Sequence, residues 1–450
     1  MRLAAAALAV ACAGCATVPR DAAGDRVARL VEERTGEKLL RDDAEVVRRV
    51  SELLQRDLTE RSAVQIALLN NRDLQATYEE IGIAQADLVQ AGLLKNPSLD
   101  VSLRFPETSA AIFNTNFELV ADFLNAFFLP LRQKLAAEQL TAAELRVAGQ
   151  AFEVAGKVRR QVYALQALQQ RVQLRRKVLQ ASAISAELAE RQRKAGNIGE
   201  LELETERGAH EQTRLDLARE ELQLEVEREK LTRLLGLWGP QVEWKISAAL
   251  PEVPAQEAAL EHMETLAVSR RLDVAGARQD ALLVEHALEV ARQSRFVGAV
   301  EVGVDREEGA ELGVRVIGPT LHLELPIFDQ RQALLARLEA QQRQSRRRLE
   351  AVSVDARSEV RAARLALLSQ RQVVDHYKKV LLPIRERTVA YAQQRYNAML
   401  IGVFQLLQVK QAEIEAYTQY LEAVRDYWIA RVDLERAAGG PLPLPQEPRP

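Results

Sequence analysis

The residues best suited to chemistry are a run of carboxylates, five separate histidines and two cysteines. The carboxylates occupy alternate positions, namely Glu200, Glu202, Glu204 and Glu206. The histidines never have a metal-ligand spacing such as HxxxH; they are His210, His262, His286, His322 and His376. Cys12 and Cys15 both lie in the apolar leader, so the rest of the chain has no thiolate ligand and no disulfide. We therefore predict no metal site and no cofactor.

Motifs of enzymes are missing from the sequence. It contains no GxGxxG, no phosphate-binding loop, no GxSxG and no HExxH. Paired carboxylates such as Glu307 and Glu308 fall in a predicted turn, where a solvated surface is the simpler interpretation. We predict that the protein is not an enzyme.

Composition and charge narrow the class of protein further. The 450 residues include 61 Lys and Arg against 64 Asp and Glu, a formal net charge of -3. This balance gives no reason to expect a nucleic-acid partner, which would need a concentrated basic surface. Only 5% of the residues are aromatic, and Ala, Leu, Glu, Arg and Gln dominate the chain. Such a composition favours long helices.

The N-terminal residues 1–15 are typical of a secretory signal peptide. The segment MRLAAAALAVACAGC has a basic Arg2, an apolar run and small residues before Cys15. Ala13-Gly14-Cys15 resembles the end of a bacterial lipobox, which predicts that Cys15 is lipidated and anchored in membrane lipid. The lipobox prefers leucine where this chain has Cys12, so ordinary cleavage after Ala13 is the alternative. Both predict export from the cytoplasm.

The rest of the chain contains an internal repeat of about two hundred residues. Gly199 and Gly402 differ by 203 positions, and so do Gly236 and Gly439, with no insertion needed between them. The predicted organisation is an N-terminal extension (16–58), a first repeat (59–236), a connector (237–258), a second repeat (259–440) and a Pro-rich, disordered tail (441–450).

Each repeat is predicted to contain a long helical hairpin. In the first, apolar residues recur every seven positions, the spacing of a coiled-coil seam; they are Ala151, Val158, Leu165, Val172, Leu179 and Ala186. No proline interrupts the pattern after Pro130 as far as Lys194, enough for a rod on the order of 100 Å at about 1.5 Å per residue. The hairpins are predicted to turn at 195–201 and at 397–404.

Each repeat also contains an alternating segment. NPSLDVSLRFPE in the first and LGVRVIGPTLHLELPIF in the second place apolar and polar residues at successive positions, which predicts strands with one apolar and one polar face. We assign a β-hairpin to 97–127 and another to 298–328, the latter with REEGAEL as its turn. These hairpins either cover a soluble core or form part of a membrane barrel, apolar outward and polar inward.

The number of strands favours an oligomer if a barrel forms. No run of eighteen apolar residues follows the leader, so a membrane-spanning helix is not predicted. A barrel must close, and single-chain barrels begin at about eight strands, whereas this chain offers about four. The predicted fold class is mainly α with a small β part, in which each chain contributes four long-helix rods to a trimeric α-barrel and about four strands to a shared transmembrane β-barrel.

The sequence combines the double repeat, the NPSL strand start, the helix starts PLRQKLAAEQ and PIFDQRQALLARLEA, the KAGNIGELELE break and the LTRLLGLWG ending. In this combination it resembles TolC-type outer-membrane efflux proteins. The resemblance implies a homotrimer in the bacterial outer membrane, with a large periplasmic portion, that serves as the passive exit duct of a tripartite efflux pump. Its implied partners are a periplasmic adaptor (membrane fusion protein) and an inner-membrane export pump, for which the resistance-nodulation-division type is a candidate. The alternative is a periplasmic coiled-coil adaptor or scaffold without a membrane barrel.

The two helical turns are the predicted gate. In the family these tips lie at the periplasmic end and close the tube at rest. Gly196, Asn197 and Gly199 allow the chain to reverse in the first repeat, and Gly402 marks the second turn. These residues act either as simple helix caps or as gate hinges, since both roles require the same backbone freedom.

The resemblance also indicates where a charged constriction would lie. The acidic residues that form a constriction ring in the best-known family member correspond to Gln405 and Gln408 in this chain, which are neutral. Our hypothesis is that a carboxylate pair beside the first turn, four residues apart on one helix face, supplies the negative potential instead. Glu202 and Glu206 are our choice of pair, and a solvated helix surface is the alternative.

Overall fold

The computed structural model describes residues 24–40, 42–104, 114–122, 126–247, 249–257, 260–296, 298–308 and 315–442. The helices before the connector are α1 (Gly24–Thr35), α2 (Asp43–Leu54), α3 (Glu60–Asn70), α4 (Arg72–Ala91), α5 (Leu129–Lys194) and α6 (Glu200–Leu235). Those after it are α7 (Met263–Arg270), α8 (Leu272–Gln293), α9 (Gln332–His376), α10 (Leu382–Asn397) and α11 (Val403–Ala438), with a π-helical segment, Tyr377–Leu381, between α9 and α10. The strands are β1 (Ser98–Arg104), β2 (Asn114–Asp122), β3 (Val300–Glu308) and β4 (Arg315–Leu323). The predicted lipidation site, Cys15, lies outside the described residues, as does the tail after residue 442.

The second helices of the two hairpins reproduce the sequence repeat. Both α6 and α11 have 36 residues, and each boundary of α6 recurs 203 positions later in α11. Each helix ends at a left-handed glycine, Gly236 with φ 68° and Gly439 with φ 80°. Glycine takes this conformation without a steric penalty, which is why it commonly ends helices.

The chain divides into two compact units. Of the described residues, unit 1 contains those in the ranges 24–27, 78–147 and 275–352, and it includes the four strands. Unit 2 contains those in the ranges 28–77, 148–274 and 353–442, and it includes both helical turns.

The strands of unit 1 form one antiparallel sheet in the order β1-β2-β3-β4. The register places Asp100 beside Glu118 and Glu118 beside Asp305, so the carboxylates share one face. Leu99 and Phe117 lie on the opposite face, where they are 63% and 42% exposed. The predicted division into an apolar and a polar face is therefore confirmed, and the apolar face is uncovered within the unit.

Two predicted strand boundaries were wrong. The segment REEGAEL was predicted as a turn from Arg306, but β3 continues to Glu308, whose carboxylate accepts a hydrogen bond from Arg315 Nε at 3.1 Å. Pairing with β4 keeps these charged residues extended, so Glu307 and Glu308 lie in a strand and not in a turn. At the other hairpin β2 ends at Asp122, earlier than the alternating pattern indicated.

Unit 2 is built on coiled-coil seams. On α9 the buried residues Val360, Leu367 and Val374 are spaced by seven, and they cluster with Tyr427 and Leu434 of α11. Burial at this spacing joins the two helices along their length, because each apolar side chain fits between those of its neighbour.

Four of the six residues predicted for the seam of α5 are buried. Ala151, Val158, Leu165 and Val172 are all 2% exposed or less. Beyond Val172 the predicted Leu179 and Ala186 are only partly buried. The buried positions there are Val178, Ser182, Ser185 and Ala189. The buried positions are thus one residue earlier than a continuous seven-residue repeat places them, a discontinuity in the repeat.

The connector is longer than predicted. The connector was predicted to end at residue 258, but the first helix after it, α7, begins at Met263. Glu257 in this segment instead pairs with Arg371 at 2.8 Å and with Arg431 at 3.3 Å, so the connector is attached to α9 and α11 by its side chains.

The described residues contain neither a membrane-spanning helix nor a cluster of metal ligands. No helix among them is long and apolar enough to cross a membrane. No group of three or more His, Cys, Asp or Glu side chains among them could hold a metal ion.

Candidate functional site

The first helical turn is built by a glycine in the left-handed region. After α5 ends, Gly196 has φ 77°. Its N–H donates to Arg193 O at 3.0 Å, and the Asn197 N–H donates to Gln192 O at 2.9 Å. These two bonds form the Schellman motif, which satisfies carbonyls left free at a helix end. Gly199 then precedes α6 with an extended backbone, φ -80°.

The second turn has the same geometry without the glycine. Met399 has φ 58°, and its N–H donates to Tyr396 O at 2.8 Å. The Leu400 N–H donates to Arg395 O at 2.8 Å. Gly402 corresponds to Gly199 and has φ -79°, which any residue adopts. The left-handed position of this turn is thus a methionine whose side chain is 93% exposed.

The sequence placed Met399 within the second turn but did not identify it as the left-handed residue, because glycine is the usual residue at that position. The repeat offset of 203 aligns Met399 with Gly196, and that alignment was the available signal. A left-handed residue with a β-carbon costs roughly 1–2 kcal/mol. The second turn is therefore strained where the first is not.

Replacing Met399 by glycine is expected to stabilise the second turn by up to about 1 kcal/mol, because the relief of strain exceeds the entropy that glycine loses on folding. Gly196→Ala should have the opposite effect on the first turn, about 1 kcal/mol. Hydrogen exchange of peptides that span each turn measures both changes. Gly402→Ala is the control, since its φ is ordinary and a β-carbon there meets nothing within 4 Å. Faster exchange at the second turn in Met399→Gly would contradict this account.

Two of the four carboxylates after the first turn are paired with arginines. Arg193 Nε donates to Glu200 at 2.9 Å. Arg207 donates to Glu204 and to Glu190, both at 2.9 Å. These hydrogen bonds raise the pKa of the Arg207 guanidinium. Glu200 and Glu204 therefore each have an arginine partner.

The other two carboxylates are the pair that we chose from the sequence. Glu206 is partly buried and accepts a hydrogen bond at 2.5 Å from the hydroxyl of Ser185 on α5, a side chain that is itself buried. Glu202 is exposed, and the described residues make no ion pair with it. A neutral hydroxyl does not cancel the charge of Glu206. Of the four carboxylates after the first turn, Glu202 and Glu206 are thus the two that have no arginine partner among the described residues.

The second turn carries no comparable charge. Gln405 and Gln408 lie three residues apart near the start of α11 and are both exposed. Leu406 and Leu407 between them are partly buried. The structure therefore keeps the asymmetry seen in the sequence, with carboxylates after one turn and amides after the other.

Comparison with known proteins gives a family match over most of the chain. The family described as outer membrane efflux protein matches residues 63–237 and again residues 264–440. The two matched segments together contain both hairpins and all four strands. The match therefore follows the repeat.

Relatives and solved structures agree with this match. The cobalt-zinc-cadmium resistance protein CzcC of Cupriavidus metallidurans is 25% identical over 393 residues, which cover 85% of this chain and 90% of the relative. A membrane protein from Pseudomonas aeruginosa has a similar fold, with a TM-score of 0.73, 21% identity and coverage of 86% of this chain and 91% of the other. The Campylobacter jejuni CmeC outer membrane channel has a TM-score of 0.71 at 17% identity, with 85% of each chain covered.

Proposed function

The chain belongs to the outer membrane efflux protein family. On that basis we propose its oligomeric state, the residues of its gate and its cargo. It is an outer-membrane channel, the exit duct of a tripartite efflux pump, and not the adaptor that the sequence left as an alternative. The finer points concern the number of copies, the gate and the cargo.

We propose that three copies share one β-barrel. The sheet has two open edges, β1 and β4, and its apolar face is exposed. Unpaired strand edges are not tolerated in a bilayer, so the sheet must close by pairing with other strands. Four strands are too few to close alone, since barrels begin at about eight strands. Three copies supply twelve, and the polar face then lines the interior.

Exposed apolar stripes on the hairpins support the same assembly. On α6 the residues Leu201, Leu215 and Leu222 are spaced by multiples of seven and are 54–78% exposed. On the second hairpin Val373 and Val380 are also spaced by seven, and they are 39% and 42% exposed. Seams of this spacing pack against neighbouring helices. Two different stripes on one chain suit a closed ring, in which one stripe of each copy meets the other stripe of the next.

The oligomer can be tested directly. Purified in detergent, the protein is expected to have three times the mass of one mature protomer by light scattering, where the chain with its leader has 50.3 kDa, and to conduct ions in planar bilayers. The outer-membrane fraction of cells should contain it. A monomer in detergent without conductance would overturn the proposal for a shared barrel.

We propose that the helical turns form the periplasmic gate and that Glu202 and Glu206 supply negative potential there. Rings of identical charges from symmetry mates act on permeant ions, and a concave site focuses their field. The support for this choice is that Glu200 and Glu204 are paired with arginines, whereas Glu202 and Glu206 are not.

The double variant Glu202→Gln/Glu206→Gln is expected to lower cation conductance and cation preference at least about twofold, because it removes the uncompensated charge. Single-channel recording with an ion gradient measures both. Arg193→Gln/Glu200→Gln is the control: it removes an ion pair beside the same turn without changing the net charge, so a smaller effect is expected. Equal effects of the two double variants would reject this choice of pair.

Metal cations are the cargo that we propose. The basis is the similarity to CzcC, which is a cobalt-zinc-cadmium resistance protein, and a cation-attracting entrance fits such a cargo. An inner-membrane pump of the resistance-nodulation-division type is the partner that we propose to deliver it. Cross-linking in cells should capture that pump, and coexpression of duct, adaptor and pump should raise resistance to Zn²⁺, Co²⁺ or Cd²⁺. Resistance to organic drugs alone would overturn the assignment of cargo.

A further inference from the structure

A layer of polar side chains crosses the first hairpin near its turn, within unit 2. Ser182 Oγ of α5 lies 3.1 Å from His210 Nδ1 of α6, and the Ser185 hydroxyl donates to Glu206 Oε2 of α6 at 2.5 Å. The two contacts are about one helical turn apart along each helix. The layer therefore holds an imidazole and a carboxylate next to each other, each in contact with a serine of the facing helix.

Glu206 and His210 have the spacing of a metal chelate. They are four residues apart on α6, and side chains at this spacing are neighbours on one face of a helix. The spacing is that of HxxxH, with a carboxylate in place of the first histidine. Imidazole nitrogen and carboxylate oxygen are both ligands of Zn²⁺ in proteins. The sequence pattern that was searched for, with two histidines, does not include this pair.

The hydroxyl of Ser182 determines the tautomer of His210. It donates its one hydrogen to Leu179 O at 2.9 Å. Towards His210 Nδ1 it can therefore only accept, so Nδ1 carries the ring hydrogen and Nε2 carries the lone pair. Metal-bound histidines have this arrangement, in which the second ring N–H is donated to an oxygen and the other nitrogen faces the metal.

Ser185 orients the carboxylate of Glu206 in a similar way. Its hydrogen bond occupies Oε2, and no hydrogen bond or ion pair from the described residues reaches Oε1. Ser182 and Ser185 are both 3% exposed, so water does not compete for their hydrogen bonds. Glu206 and His210 are only partly buried, and ions in solution can reach them. Each of the two side chains thus has one atom fixed by a buried hydroxyl and one atom available as a ligand.

We propose that His210 Nε2 and Glu206 Oε1 bind a divalent metal cation of the Zn²⁺ class, with water completing its coordination. Ser182 and Ser185 are positioning residues, which orient the two ligands without touching the metal. The site has two protein ligands, so it is compatible with the lack of a three-ligand cluster among the described residues. A site with few protein ligands suits a duct, because a permeant ion must leave each site that it enters. This inference rests on the proposed metal cargo.

Zinc binding by the purified protein tests the site. The full-length protein is prepared in detergent without a histidine tag and stripped of metal, and ZnCl₂ is titrated in a calorimeter. We expect one site per protomer, and at least a roughly tenfold loss of affinity in His210→Ala and in Glu206→Gln. Ser182→Ala should also weaken binding about tenfold, since loss of a group that orients a ligand typically costs 10–100-fold in metal affinity. Wild-type affinity in His210→Ala would overturn the proposal.

His376→Ala is the matched control. His376 is exposed, and the residues four positions away are Gln372 and Val380, so it has no carboxylate at the chelate spacing. Zinc affinity should not change in this variant. Modification by diethyl pyrocarbonate, read by mass spectrometry, locates the metal on the wild-type protein. Zn²⁺ is expected to protect His210 and not His376, whereas equal protection of both would mean adventitious binding and would contradict the site.

The site and the proposed cargo can fail separately. Zinc binding at His210, in a protein that confers no metal resistance together with its adaptor and pump, contradicts the cargo and supports the site. Metal resistance conferred by a wild-type protein that does not bind Zn²⁺ supports the cargo and contradicts the site.

Discussion

Glu257→Ala is expected to lower the free energy of unfolding by about 3–5 kcal/mol, the range for breaking a buried ion pair at one partner. Glu257 lies in the connector with a side chain only 9% exposed. It accepts hydrogen bonds from Arg371 and Arg431, and the Tyr427 hydroxyl donates to it as well. Burial and this carboxylate raise the pKa of Tyr427 to about 12. Removal of the carboxylate leaves two guanidinium groups, 15% and 7% exposed, with less compensation.

The effect should be confined to this network. Urea unfolding of the detergent-solubilised protein, followed by tryptophan fluorescence, measures the change. Glu261→Ala is the control in the same connector, because Glu261 is exposed, and a change within about 0.5 kcal/mol is expected. Glu257→Gln keeps the shape and should be less damaging than Glu257→Ala. If Glu257→Ala were as stable as the control, the connector would not be held by this carboxylate.

Gly236→Ala is expected to cost about 3 kcal/mol or more, since it adds a steric clash to an unfavourable backbone conformation. The residue has φ 68°, and a β-carbon would lie 2.1 Å from the carbonyl oxygen of Asn70. The same asparagine donates through Nδ2 to Leu235 O at 3.0 Å and to Gly236 O at 2.9 Å. Those bonds satisfy carbonyls at the end of α6, so the chain cannot move away from the clash without losing them.

Gly208→Ala provides the comparison for Gly236→Ala. Gly208 lies inside α6, and a β-carbon there meets nothing within 4 Å. Alanine in a helix interior is favoured over glycine by roughly 0.5–1 kcal/mol, so a small gain in stability is expected. Thermal unfolding of the two variants should move in opposite directions. A similar midpoint for both would mean that Gly236 is not held against Asn70.

The two-repeat chain, the long helices and the four strands could be predicted because they depend on periodicity. A seven-residue apolar spacing and a two-residue alternation each specify a local geometry and a buried face, whatever the neighbours are. Counting the strands then indicated an oligomer, and the resemblance to outer-membrane efflux proteins was confirmed by the family match. The turns at Gly196 and Gly402 followed from backbone freedom and from the repeat.

Periodicity did not specify which polar groups meet. The spacing of Glu200, Glu202, Glu204 and Glu206 did not show which of them have arginine partners, and only the packed hairpins pair two of them with arginines. The sequence also treated Glu307 and Glu308 as turn residues, because cross-strand pairing with β4 cannot be read from a charged segment.

The sequence by itself determined the repeat, the secondary structure and the faces that must be buried, since these are properties of local backbone and spacing. Only the tertiary structure decided that Arg171 of α5 pairs with both Glu220 of α6 and Glu422 of α11, and that Glu257 holds the connector. Such contacts join residues far apart in the chain. Their geometry depends on how helices pack, and a side chain's partner is therefore fixed only once the fold is complete.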